Sequence, residues 1–248
     1  MASSSTLRRT AVAVGVAVAI LVPAVTSGLH LGLSQAEFAA QGDSTLRAVP
    51  MAFAIWGVIY LGLIAYAIFQ LRAAETAALA RFGWPSAISS LSCAAWIVAS
   101  ALDQQLACVL TILVGVGAAL SPLLQGPVEA TPRERWFVVR PNALLAGWLT
   151  AAAALNILSA LTTAAWIPPS SADAWAYGAV AVVTIVALGI AARAHSAVYL
   201  LPAAWALVGI HLAAREDVRP TLAMLAIAGA SVLTLGAGAL ALRGRARR

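Results

Sequence analysis

The chain has 248 residues, of which 62% are hydrophobic and only 10% are charged, whereas roughly a quarter of the residues in an average soluble domain are charged. A soluble fold of this length needs more polar side chains to cover its surface, so the composition excludes an ordinary soluble enzyme. The net charge of +6 comes entirely from arginine. These arginines stand singly between apolar runs and form no basic stripe, which argues against a nucleic-acid binder.

Eight apolar runs follow one another along the chain, separated by polar residues or by Pro and Gly. Each is close to the roughly 20 residues that an α-helix needs to cross a bilayer. Because a backbone in lipid must satisfy its hydrogen bonds internally, each run is predicted to be a helix. The predicted spans are residues 10–29, 50–71, 84–102, 105–124, 141–163, 175–192, 197–213 and 220–242. The sequence therefore predicts an all-α membrane protein, a polytopic bundle of about eight transmembrane helices.

The first span also has features of a secretory signal peptide. Arg8 and Arg9 precede an apolar stretch that ends near Ser27, which is the order found in such signals. The stretch is nevertheless long enough to cross the membrane, and we predict that it is retained as a helix. Further along, only residues 103–104 separate the third span from the fourth, which predicts a tight antiparallel hairpin.

The arginines predict how the bundle is oriented. If the N-terminus is cytoplasmic, twelve arginines fall in inner segments, and the outer segments hold only Arg47, Arg215 and Arg219. Cytoplasmic segments of membrane proteins carry just such an excess of positive residues. We therefore expect a multi-pass protein of a bacterial inner (plasma) membrane with both termini in the cytoplasm.

Aromatic and uncharged polar residues recur at helical spacing in the second, third and fifth spans. These residues are Phe53, Trp56 and Tyr60, then Cys93 and Trp96, and finally Trp148 and Asn156. One interpretation is that such groups only join helices through hydrogen bonds or lie at the membrane interface. The other is that their flat rings face inward and line a concave apolar pocket.

The predicted spans lack the charged residues on which ion-coupled transport usually depends. No span holds an acidic or basic residue near its centre, whereas ion-coupled transporters place such residues there. No phosphate-binding loop, metal-spaced cluster or nucleophile elbow is present in the sequence. His30 and His211 could ligate haem iron, but single histidines near span ends are usually solvated. We therefore expect neither catalytic nor metal-binding residues, and no enzyme.

Two segments resemble motifs of the TspO/MBR family, the tryptophan-rich sensory proteins related to the translocator protein or peripheral benzodiazepine receptor. Residues 50–60 (PMAFAIWGVIY) resemble the aromatic second-helix motif. Residues 140–156 (RPNALLAGWLTAAAALN) look like the fifth-helix motif, in which a proline, a tryptophan and Leu-Asn follow in order. Trp96 stands where the family has a third-helix tryptophan.

The resemblance implies a TspO-like five-helix bundle over residues 1–163, with residues 164–248 forming three additional helices and a basic C-terminal tail. It implies a pocket for tetrapyrroles such as haem and protoporphyrin, or for sterol- or isoprenoid-like molecules. A bound tetrapyrrole would be the only cofactor. The pocket residues implied by the resemblance are Phe53, Trp56, Tyr60, Cys93, Trp96, Trp148, Ala152 and Asn156.

The function implied is binding of a flat apolar ligand for sensing or facilitated movement. We expect the lipid bilayer and the ligand as partners, a second copy of the chain as a further candidate, and no nucleic acid. One alternative is a permease or channel-like subunit that works with a partner chain. Another is an enzyme that degrades a bound tetrapyrrole.

Overall fold

A computed structural model describes residues 2–42 and 44–246. Within these residues the chain forms helices and no strand. Eight helical segments are long and apolar enough to cross a membrane, and they coincide in order with the eight predicted spans. We label them α1 (Ala2–Gly28), α2 (Ile55–Arg72), α3 (Ala77–Ala101), α4 (Gln105–Leu124), α5 (Arg140–Thr163), α6 (Ala172–Ala194), α7 (Ala197–Glu216) and α8 (Pro220–Ala246).

Several helices begin earlier than their apolar runs, because charged or polar side chains at these ends find partners. Arg8 lies inside α1 and is mostly buried, and its guanidinium donates to both carboxylate oxygens of Glu75 at 2.7 and 2.6 Å. Thr76 caps α3 by accepting the backbone N–H of Leu79 at 3.3 Å. Such a cap satisfies an otherwise unpaired donor at the helix start.

The helix that contains α5 also extends beyond its predicted start. A helical turn over Pro132–Glu134 and a π-helical turn over Arg135–Val139 lead directly into α5. Thr131 and Glu134 form a reciprocal capping box, in which the backbone N–H of Thr131 donates to Glu134 at 2.7 Å. This cap fixes where the polar connection ends and the helix begins.

The centre of the bundle is α5, which is buried around most of its circumference and packs against α2, α4, α6 and α7. Small residues allow the close approach, as is usual between membrane helices. A Cβ added to Gly147 would overlap the carbonyl oxygen of Tyr199 on α7. The Tyr199 hydroxyl and Thr150 also share a hydrogen bond of 2.8 Å.

The last three helices share one apolar core with the first five. A single cluster of buried side chains extends from Val12 on α1 to Ala237 on α8. The helices α7 and α8 form an antiparallel pair, and α6 packs against both. Whether residues 1–163 fold as a unit of their own stays a prediction.

The two ends of the bundle differ. The basic face is the end where α1 begins and α8 ends. At the opposite end, residues 29–49 apart from residue 43 form a cap segment that includes a short helix, Gln35–Ala40. Ser34 and Glu37 form a capping box at its start, and its Phe38 is only 1% exposed. The α3–α4 connection at the same end is the tight turn that the sequence predicts.

Candidate ligand cavity

An apolar cavity of about 110 Å³ lies between α2, α3, α4 and α5 beneath the cap segment. All eight residues implied by the family resemblance line it: Phe53, Trp56, Tyr60, Cys93, Trp96, Trp148, Ala152 and Asn156. The structure therefore brings together residues that lie as much as 103 positions apart in the sequence. None of the three interior tryptophans, Trp56, Trp96 and Trp148, is among the exposed large side chains.

Four aromatic rings form a continuous wall. The rings of Trp56 and Tyr60 stack at 5.1 Å between centroids. The indole of Trp148 meets Trp56 edge-on at 6.2 Å and Phe53 edge-on at 6.0 Å. Such edge-on pairs add to the energy of burial, so the rings hold one another in place. The four rings therefore form one apolar surface along the cavity.

A second aromatic pair closes the cavity on the side of the cap segment. Phe38 of the short helix meets Trp96 of α3 edge-on, with 5.9 Å between centroids. Leu46 and Ala48 of the cap segment also line the cavity. The cap segment therefore forms the wall at this end.

Three buried polar atoms along the cavity have no hydrogen-bond partner. They are the indole Nε1 of Trp96, the amide Oδ1 of Asn156 and the hydroxyl Oγ of Ser159. Buried polar groups are nearly always paired, because an unpaired one costs about 1–3 kcal/mol. The atoms lie in residues that line the same space, so a ligand with a polar end group could satisfy them.

Ion pairs hold the cap segment to the last helices. Arg47 lines the cavity mouth and donates to Asp217 at 2.7 and 2.9 Å and to Glu216 at 2.9 Å. The hydrogen bonds from Arg47 hold the pKa of Asp217 below its usual value, and those to Asp217 raise the pKa of Arg47. Arg219 donates to the backbone carbonyl of Thr45 at 2.8 Å and to Asp173 at 2.6 Å.

The helix α7 contributes directly to the cavity. Its Ala206 is a lining residue, and the indole N–H of Trp205 donates to the carbonyl of Ala52 at 2.8 Å. The backbone N–H of Val49 donates to the carbonyl of Gly209 at 3.1 Å. The last three helices therefore position the cap segment and the start of α2.

The sequence did not identify the lining residues of the cap segment and of α4. They are Phe38, Ala39, Leu46, Arg47 and Ala48 in the cap segment, and Thr111, Ile112 and Gly115 in α4. The cap segment has no helical periodicity that could place Phe38 against Trp96. On α4, small and aliphatic residues carry no signal that separates a cavity wall from ordinary packing.

Two buried serines of α3, Ser89 and Ser100, form hydrogen bonds within their own helix. The hydroxyl of Ser89 donates to the carbonyl of Ser86 at 3.1 Å, and that of Ser100 donates to Ile97 at 2.9 Å. His211 contacts the carbonyl of Ala223 at 2.8 Å. Among the residues that the structure describes, no group of three or more His, Cys, Asp and Glu side chains could hold a metal ion.

A family model described as TSPO-like protein matches residues 9–239. The chain belongs to this TSPO-like family. The match continues past the five spans that carry the motif resemblance and includes most of α8. No curated protein and no solved structure matches the chain. The TSPO-like chain is thus a multi-pass helical membrane protein.

Proposed function

We propose that this TSPO-like protein binds a narrow or flat apolar ligand with one polar end group, for sensing or facilitated movement of that ligand. The observation that carries the proposal is the aromatic wall of Phe53, Trp56, Tyr60 and Trp148 beside three unpartnered polar atoms. Apolar walls with a few convergent polar groups are typical of small-molecule sites. The aromatic wall supports binding, and the polar atoms favour a hydroxyl or carbonyl on the ligand.

The size of the cavity favours a slim ligand. Its volume of about 110 Å³ is below the roughly 300–1,000 Å³ of sites for drug-sized molecules. A tetrapyrrole macrocycle, the widest of the ligand classes implied by the resemblance, would need the walls to separate further than a slim isoprenoid chain would. Among the ligand classes that the family resemblance implies, an isoprenoid-like molecule matches the dimensions better than a tetrapyrrole or a sterol.

Binding is favoured over turnover by the chemistry of the lining. General acid–base catalysis needs a positioned group that exchanges protons near neutral pH. None of the lining residues, all within the described part of the chain, is Asp, Glu or His, and the guanidinium of Arg47 is engaged by two carboxylates. The proposed role is therefore a receptor or passive carrier.

Retinol provides a test because it combines an isoprenoid chain with a hydroxyl and quenches tryptophan fluorescence. For the full chain in nanodiscs we expect saturable quenching by all-trans-retinol and weaker binding of protoporphyrin. Trp148→Leu should weaken retinol binding about tenfold, since the edge-on ring contacts are lost. Asn156→Leu should weaken retinol binding about fivefold. It should leave the affinity for the corresponding polyene hydrocarbon, which lacks the hydroxyl, unchanged.

Trp166→Leu is the matched control. Trp166 is 76% exposed and is not a lining residue, so its loss should leave the affinity unchanged. Equal affinities in the wild type, Trp148→Leu and Asn156→Leu would show that retinol partitions into lipid and would refute the proposal.

A further inference from the structure

A second cavity, of about 720 Å³, opens on the basic face between the ends of α4, α6 and α8 and the starts of α5 and α7. It is separate from the apolar cavity, with which it shares no lining residue. Its volume is within the range of small-molecule sites. The inference below does not depend on the proposed function.

Arginine and histidine side chains line this basic cavity from three parts of the chain. Arg135 and Arg140 come from the start of the α5 segment, His195 from the α6–α7 connection and Arg243 from the end of α8. None of the lining residues, all of which the structure describes, is Asp or Glu. Arg135 and Arg243 are therefore brought to one cavity, whereas the guanidinium of Arg140 lies 3.6 Å from the ring centroid of Trp136.

Two further arginines support the wall of the cavity. Arg81 donates to the carbonyl of Pro122 at 2.8 Å and to that of Pro127 at 3.2 Å, and it also contacts the carbonyl of Gly126. The guanidinium of Arg193 lies against Gly126, where a Cβ would come within 2.6 Å of its Nη1. These contacts hold the α4–α5 connection in place and add positive charge beside the cavity.

The carboxylates of the basic face are used elsewhere or lie apart from the cavity. Glu75 binds Arg8 and Arg9. Glu134 accepts hydrogen bonds from Thr76 and Thr131, and Glu129 is exposed and does not line the cavity. Within the described residues, these carboxylates therefore leave Arg135 and Arg243 in a cavity lining that is positively charged.

The rest of the lining is apolar, so the cavity favours an anion that also has an apolar part. Phe82, Leu123, Val139, Val198 and Leu240 supply hydrocarbon surface below the arginines. Ala197 and Val198, the first residues of α7, also line the cavity, and a helix start favours negative charge. A molecule with a charged head and an apolar body matches both parts of the lining.

We propose that the basic cavity binds the phosphate headgroup of an anionic phospholipid from the adjoining membrane leaflet. The cavity lies where five helices end or begin, which is the level of lipid headgroups, and basic pockets between membrane helices bind such headgroups. A general excess of arginine on the cytoplasmic side could be met by arginines scattered over the basic face. It does not explain why several of them line the same cavity. The guanidinium groups bind the phosphate, and the apolar wall contacts the upper part of the acyl chains.

Native mass spectrometry of the purified full chain tests the proposal, with phosphatidylglycerol and phosphatidylcholine as the probe lipids. We expect the wild type to retain phosphatidylglycerol preferentially. Arg135→Gln combined with Arg243→Gln should reduce this preference about thirtyfold, roughly fivefold for each arginine removed. Arg135→Lys combined with Arg243→Lys keeps the charge and should keep most of the preference.

Arg72→Gln combined with Arg133→Gln is the matched control, because both arginines lie on the basic face outside the basic cavity. The control should retain the wild-type preference. Equal losses in the two Gln pairs, equal retention of both lipids by the wild type, or displacement of the lipid by millimolar inorganic phosphate would each overturn the proposal. If the Gln pair does not fold, the wild-type lipid comparison and the Lys pair decide it.

Discussion

Two adjacent residues of α5 face different parts of the bundle. Gly147 lies against the backbone of α7 at Tyr199, whereas Trp148 faces the apolar cavity. Successive side chains on an α-helix point about 100° apart, so a central helix can support packing and a cavity wall at neighbouring positions. A change at Gly147 therefore tests packing without removing a ring from the cavity.

Gly147→Ala should destabilise the protein. The new Cβ would overlap the Tyr199 carbonyl oxygen on a neighbouring backbone, which cannot rotate away as a side chain could. Overpacking of this kind costs about 1–3 kcal/mol. Thermal unfolding in detergent should show a clearly lower midpoint than in the wild type.

Gly117→Ala is the control for this substitution, since a Cβ there meets nothing within 4 Å. It should leave the midpoint unchanged or raise it slightly, because alanine favours the helix. The same midpoint for both variants would contradict the packing that the structure shows around Gly147.

At the scale of elements, the cap segment is held by ion pairs to the α7–α8 connection. Hydrogen exchange of residues 44–49, corrected for its intrinsic pH dependence, measures this attachment. Because the pKa of Asp217 is lowered by Arg47, the pair contributes stability above the ordinary aspartate pKa of about 3.9. That contribution is lost as the pH falls through the lowered value. We expect constant protection from pH 7 to pH 5 and a loss toward pH 3.

Arg47→Gln should already reduce protection at pH 7, by about two- to fivefold, since partly exposed ion pairs contribute modestly. Glu37 also has a lowered pKa, owing to its hydrogen bonds with Ser34, and Arg219 still joins Thr45 to Asp173 in this variant. The loss of protection that remains at acid pH therefore reports the short helix and the Arg219 contacts together. Arg215→Gln removes an exposed arginine from the same end and should behave as the wild type. Unchanged protection in Arg47→Gln would mean that the ion pairs do not hold the cap segment.

The order and number of the membrane helices could be predicted because apolar runs of the necessary length leave a chain in lipid no other regular structure. Helix starts were less predictable. Arg8 was expected outside the first span, yet it lies within α1 because Glu75 neutralises it. Arg81 lies inside α3 because it donates to the carbonyl of Pro122. Partners distant in sequence therefore determine these boundaries.

The aromatic part of the apolar cavity was predictable for a related reason. Trp56 and Tyr60 share a face of α2 at any packing angle, and Phe53 lies in the 3₁₀ turn Pro50–Ala54 that leads into it, so only the direction of that face had to be inferred. The contact of Phe38 with Trp96 depends on how an irregular segment returns across the bundle. The basic cavity depends on the meeting of α5 and α8, which spacing along the chain does not reveal.

At the scale of the whole molecule, eight spans place both termini at the same end of the bundle. Twelve of the fifteen arginines lie in segments at that end, and we propose that it faces the cytoplasm. Alkaline phosphatase, which is active only outside the cytoplasm, should be inactive when fused after residue 246 and active after residue 166. The reverse pattern would invert the topology, and activity at both sites would refute the three spans between residues 166 and 246.

The attachment of the cap segment has a consequence for how the protein matures. Arg47 and Val49 are synthesised early, but their partners Asp217, Glu216 and Gly209 follow 160 to 170 residues later. Until then, the early helices can enter the bilayer, and the cap segment can contact α3 through Phe38 and Trp96. Its second half, around Arg47 and Val49, gains its attachment only after α7 has been made.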